Sequence, residues 1–134
     1  MIIAVCVDDR GGMAFNRRRQ SQDRVLRRDL LEEASGRKLW MSGYSAGQFS
    51  PLPENCRTAE DFPEQAGPGD LCFFEDRDPA AWLAEAEGVI VYRWNRHYPA
   101  DRYFAFSPEE WSLERREEFA GYSHEWITKE VYRR

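Results

Sequence analysis

The chain opens on an unbroken apolar run, Met1 to Val7 (MIIAVCV). A segment with no polar face reads as a strand buried on both sides, the usual centre of an α/β sheet. Asp8 to Gly12 (DDRGG) interrupts it with turn chemistry. The period then changes. Leu26, Leu30 and Ala34 recur at helical spacing, with Val25 and Leu31 widening the stripe, which predicts an amphipathic helix from Ser21 to Ser35. Ser21 reads as its N-cap, Asp23 as a first-turn carboxylate suited to the helix dipole, and Gly36 as its stop.

Beyond the helix, Lys38 to Met41 predicts a short strand and Tyr44 to Phe49 a helical turn. Ser50 to Gly69 carries Pro51, Pro53, Pro63 and Pro68 without sustained periodicity, and reads as a long surface connection, either functional or left by a lost element. Leu71 to Phe74 is a third strand. Pro79 to Glu87, capped by Asp78 and closed by Gly88, reads as a second helix. Val89 to Asn95, Tyr103 to Phe106, Trp111 to Phe119 and Ser123 to Tyr132 read as further strands, the last two an antiparallel pair around Gly121. The order predicts an α/β fold: a mostly parallel sheet flanked by helices, with an antiparallel C-terminal hairpin. At 134 residues it should form one domain, 1–134.

Composition changes this picture in a few places. With 42% hydrophobic and 14% aromatic residues the chain has the material for a core, unlike a disordered segment. No apolar run approaches the ~20 residues of a membrane span, and the N-terminus has no basic segment leading into an apolar export signal. Cys6, Cys56 and Cys72 lack metal-ligand spacing and read as reduced thiols in a cytoplasmic protein. Charge is uneven. Between Arg10 and Arg28 stand seven Arg against one acid, Asp23, a net +6 in a chain of net −5, so the remainder carries −11.

That cationic segment holds the strongest candidate chemistry. Arg17, Arg18 and Arg19 precede the predicted helix, and Ser21 and Arg24 would stand at its positive end. Together with Asn16 and Gln20 they would suit a phosphate or carboxylate. The same arginines also fit a solvated helix surface, with Arg24, Arg27 and Arg28 paired to Asp23, Asp29 and Glu32. His97 and His124 read as loop and strand residues without a visible partner. The aromatics of Tyr92 to Tyr98 (YRWNRHY) fit core packing or base stacking. Glu75, Asp76 and Asp78 read as a strand end and a cap, needing no metal.

The order of elements resembles the dihydrofolate reductase family. Against its opening Asn-Gly-Ile-Gly-x-Asn-Gly-x-Leu-Pro-Trp-x-Leu-Pro-x-Asp-Leu, helix, and Gly-x-Pro-Val-Ile-Met-Gly-x-x-Thr, the residues Gly12, Met13, Asn16, Leu30, Gly36, Leu39, Trp40, Met41 and Ser45 fall on like or compatible positions. Val89 to Phe104 resembles the strand leading to the family's Gly-Asp-x-x-Phe segment, and Trp111 to Phe119 with Trp126 to Arg133 its final hairpin. The resemblance implies a shortened dihydrofolate-reductase-like domain. It also locates departures. The family's helix acid falls on Leu26, leaving Asp23 and Asp29 as the nearest candidate acids. Its Pro-Trp falls on Gln20-Ser21, and its cofactor-side Gly-Gly falls on Glu75-Asp76, adding side chains and negative charge beside a pyrophosphate.

The expectation is therefore a member of that fold without reductase activity and without NADPH, binding a small anionic ligand in the cleft near Arg17 to Arg24. The alternatives are a divergent NAD(P)H-dependent reductase using Asp23 or Asp29, and a nucleic-acid or protein interaction module using the arginine face.

Overall fold

β1 (Ile2–Val7) forms where the sequence has no polar side chain to give to water, and all six residues are buried. The computed structural model describes every residue from Met1 to Arg134. After β1 come β2 (Gly12–Phe15), β3 (Arg18–Arg19), α1 (Arg24–Glu33), β4 (Leu39–Met41), α2 (Gly43–Ala46), β5 (Cys56–Thr58) and α3 (Phe62–Gln65). β6 (Leu71–Phe74), β7 (Gly88–Arg93), β8 (Arg102–Tyr103), β9 (Ser112–Phe119) and β10 (Ile127–Arg133) complete the chain.

Seven strands make one sheet in the order β5-β4-β6-β1-β7-β10-β9. The first five run parallel, and the β9–β10 hairpin adds to β7 antiparallel. The α/β class, the mostly parallel sheet and the antiparallel C-terminal hairpin are thus as the sequence pattern predicts. A second, three-stranded sheet, β3-β2-β8, was not foreseen.

The alternation of β1 divides the core. Ile2, Ala4 and Cys6 face α1, where Leu26, Leu30 and Ala34 meet Phe73, Ile90, Tyr92 and Val131. Ile3, Val5 and Val7 face the other way, onto Trp40, Phe62, Phe74 and Val91. Both faces are covered, which is why β1 tolerates no polar residue. The second face is covered thinly, by the four-residue α3, a 3₁₀ turn at Ala80–Trp82 and the packed aromatics Phe104, Phe106 and Trp111.

Several boundaries differ from the sequence reading. α1 starts at Arg24, not Ser21, because Asp23 rather than Ser21 is the N-cap. Residues 79–87 form one 3₁₀ turn and irregular turns rather than a helix. Only Trp82, Leu83 and Ala86 of this segment pack against the core, too little apolar surface to hold a full helix on the sheet. Residues 50–69 are not a featureless loop. They contain α3 and the edge strand β5, whose Cys56–Thr58 pairs in parallel with Leu39–Met41. The strand expected at Tyr103 to Phe106 shrinks to β8, paired across to β2. No helix is long and apolar enough to cross a membrane.

β9 is an exposed edge with Glu114, Arg115, Arg116, Glu117 and Glu118 along it. Charges on an edge discourage pairing with foreign strands. Arg115 reaches Glu33 of α1 at 2.7 Å, tying that edge to the helix.

Candidate functional site

The C-terminal ends of β1, β6 and β7 meet under the β2–β3 hairpin, the end of a parallel sheet where ligands usually bind. Asn16 and Arg17 form the hairpin turn with φ of 52° and 61°, the left-handed pair that a two-residue turn of this twist requires. The turn sends Arg18 and Arg19 back along β2. Gly12 is needed beneath it, because a Cβ there would lie 2.6 Å from the Ala100 Cβ and 2.7 Å from an Asp8 carboxylate oxygen.

Arg19 leaves the hairpin and enters the cleft. Its Nε donates to both carboxylate oxygens of Glu75 at 3.2 Å, and its guanidinium lies 4.2 Å from the centre of the Tyr44 ring. Gln48 Nε2 donates to the same carboxylate at 2.7 Å. Glu75 is 5% exposed. Burial pushes its carboxyl above the ordinary range, and Arg19 and Gln48 only partly offset this. Burial, with Glu75 nearby, raises the Cys6 thiol further still. The cavity bounded by Cys6, Met13, Arg19, Gln20, Ser21 and Glu75 has about 200 Å³ of empty space and is too narrow for a water molecule. Gln20 Oε1 is buried there without a hydrogen-bond partner, while its Nε2 donates to Asp8.

Asp23 anchors the other wall. Its Oδ1 accepts from Val25 N and Leu26 N, capping α1, and also from Tyr122 N at 3.0 Å. Its Oδ2 accepts from the backbone N–H of Ser123 and His124 at 2.8 and 3.1 Å. Burial works to raise its pKa, but these donors and the His124 ring outweigh it and hold the carboxyl well below the usual range. An ionised Asp23 can only accept, so the His124 Nδ1 at 2.9 Å carries the proton. The Nε2 lone pair then faces two hydroxyls, Tyr98 at 2.8 Å and Ser21 at 3.2 Å. Trp94 stacks on the imidazole with centroids 4.5 Å apart. Gly121 lets the loop close over the carboxylate, since a Cβ would come within 2.7 Å of Asp23 Oδ2.

The candidate residues therefore separate. Arg19, Gln20 and Ser21 line the interior cavity. Asn16 and Arg17 line an outer groove of about 440 Å³ with Asp101 and Arg102. Arg18 is exposed on the hairpin, and Arg24 stacks on Tyr122 at 4.3 Å. The expected pairing of Arg24, Arg27 and Arg28 with neighbouring acids is absent; Arg27 instead donates to Gln22. The N-terminal N–H groups of α1 already meet the Asp23 carboxylate. Asp29 lies on the far side of α1, 2.8 Å from Lys129 and bonded by the Tyr92 hydroxyl at 2.6 Å. Leu26 is buried in the core.

Glu75, Asp76 and Asp78 do not converge, and no group of three His, Cys, Asp or Glu side chains could hold a metal ion. Sequence reasoning passed over His124, Tyr98 and the interior role of Glu75. Little local marks His124, because Tyr98, Asp23 and Ser21, which surround its ring, lie 26 to 103 residues away. A larger groove of about 820 Å³ lies at the opposite end of the sheet, beside Arg37, Lys38, Asn55 and Arg57. No family model matches the chain, and a search of curated proteins finds no match.

Proposed function

We propose that the chain is a shortened dihydrofolate-reductase-like scaffold that has lost the reductase reaction and binds a small anion at the mouth of its cleft. The fold reading is supported by the central apolar β1, by a strand, loop and helix framing the cleft, and by the final hairpin on β7. Against reductase chemistry stand Leu26 where the acid is needed and the Arg19–Glu75 pair across the cleft. The space beside this pair is too narrow even for water, which leaves no room there for a cofactor ring.

The anion reading rests on one observation. Arg17 and Arg102 share a groove with Asn16, and neither makes an ion pair. Asp101, the acid in that groove, already accepts from Asn16 N at 3.1 Å. Two unpaired guanidinium groups facing one space suit a phosphate or dicarboxylate. Thermal-shift titration with inorganic phosphate, a nucleoside monophosphate and folate provides the test. A rise in Tm that disappears in Arg17→Ala and Arg102→Ala supports the reading; no rise with any of the three refutes it.

A further inference from the structure

The interior wall of the cleft carries a second arrangement, independent of the outer groove. We infer that Ser21 is a nucleophile whose hydroxyl is activated by His124 and Asp23, giving this chain an acyl-transfer or ester-hydrolysing centre. Asp23 fixes the imidazole through Nδ1 at 2.9 Å, and Nε2 stands 3.2 Å from Ser21 Oγ. Nucleophile, base and orienting carboxylate thus stand in the serial order that such chemistry needs. Such a centre is recognised by geometry rather than by fold or residue order.

The surroundings favour a working relay in three ways. Asp23 and His124 are 2% and 3% exposed, so their interaction is little screened, whereas Ser21 reaches the surface in part. Asp23 takes five backbone N–H donors besides the ring, and these hold it as the charged acceptor that orients the base. Ser21 also lies at the border of the closed interior cavity, beside Trp94 and Met13, which leaves its partly exposed side as the face open to a substrate.

The chemistry balances within the chain, substrate and water. Ser21 Oγ forms a bond to the substrate's carbonyl carbon as its proton passes to His124 Nε2. The carbonyl electron pair moves to oxygen and returns as the bond to the leaving alkoxide breaks. His124 gives the proton to that alkoxide. Water then attacks the acyl-serine with the same base, releasing a carboxylic acid and restoring Ser21.

Tyr98 supplies an internal control. Its hydroxyl is the nearer donor to the single Nε2 lone pair, at 2.8 Å, so it restrains the base. Removing it should release Nε2 to Ser21. The probe is an alkyl fluorophosphonate, which phosphonylates activated serines, read by intact mass and peptide mapping. Expected are modification of Ser21 in the native chain, its loss in Ser21→Ala, and severalfold faster modification in Tyr98→Phe. Circular dichroism melts establish that both variants are folded. Absence of modification at Ser21 in native chain and Tyr98→Phe alike overturns the inference. Modification confined to a tyrosine overturns it equally. Phosphate-dependent thermal shifts report on Arg17 and Arg102 alone, so either proposal can fail without the other.

Discussion

Replacing Asp23 with alanine should cost about 3–7 kcal/mol, one of the largest losses any polar substitution in this chain can cause. The figure is built from the bonds that vanish. Loss of an N-cap side chain costs ~1 kcal/mol. Tyr122 and Ser123 lie on an exposed loop, so their freed N–H groups can turn to water. The His124 backbone N–H and Nδ1–H are buried and cannot, and a buried donor left unpaired costs ~1–3 kcal/mol. Asp23→Asn keeps the shape but turns an NH2 against one set of donors, so ~2–3 kcal/mol is expected there. For a chain of this size each kcal/mol moves Tm by ~3–5 °C. Urea unfolding at pH 7 measures both variants directly. The pH dependence fixes the cause. Asp23 has its pKa lowered in the folded state, so its contribution is present above the unfolded value of ~3.9 and lost as pH falls below that. The gap between the native chain and Asp23→Asn should therefore narrow between about pH 5 and pH 3. A loss under ~1 kcal/mol at pH 7, or a gap that stays constant over that range, refutes the reasoning.

Further predictions concern neighbouring parts of the same architecture. Arg19→Ala leaves Glu75 buried without its cation and should cost ~3–5 kcal/mol, whereas Arg19→Met with Glu75→Leu should recover most of it in denaturant unfolding. The Glu75 pKa is raised in the fold, so protonation favours the native state. The cost of Arg19→Ala should thus shrink as pH falls through the raised value toward ~4, and an unchanged cost at pH 4.5 would contradict the buried carboxyl. Gly121→Ala drives a methyl against Asp23 Oδ2 and the His124 carbonyl oxygen, both at 2.7 Å, and should lower Tm; an unshifted melt would mean that the loop is not closed over the carboxylate. Leu30→Ala, fully buried under α1, should cost ~2–5 kcal/mol in urea. Cys6, Cys56 and Cys72 are all buried, and burial pushes the Cys72 thiol up to about 12. An aromatic disulfide reagent should react slowly until the chain unfolds, and fast titration of the native chain would count against this packing.

Legibility in the sequence followed the range of the interactions. β1 and the buried stripe of α1 could be read because their patterns are local: an apolar run, and Leu26, Leu30 and Ala34 at helical spacing. The C-terminal hairpin was legible for the same reason. β5 was not, because it is a three-residue edge strand with Cys56 as its one buried side chain. The 3₁₀ turn at Ala80–Trp82 stands where local caps supported a helix, since the segment offers the core only Trp82, Leu83 and Ala86. At the candidate site, sequence proximity misled. Arg17 and Arg19 are two residues apart yet face an open groove and a closed cavity, because Arg17 lies in the hairpin turn itself and Arg19 on β3. Asp23 read as a surface acid of the helix, and only the arrival of Tyr122, Ser123 and His124 makes it interior.

That last contact has a consequence for how the chain is made. The partners that complete the Asp23 cap lie 99 to 101 residues downstream. β10, which pairs with β7 along its length, is the last strand of the chain. Until those downstream segments dock, β7 is unpaired on one side and α1 only partly capped, and contacts of such long separation are slow to find. The exposed edge of β7 is in that interval the part of the molecule most dependent on prompt completion.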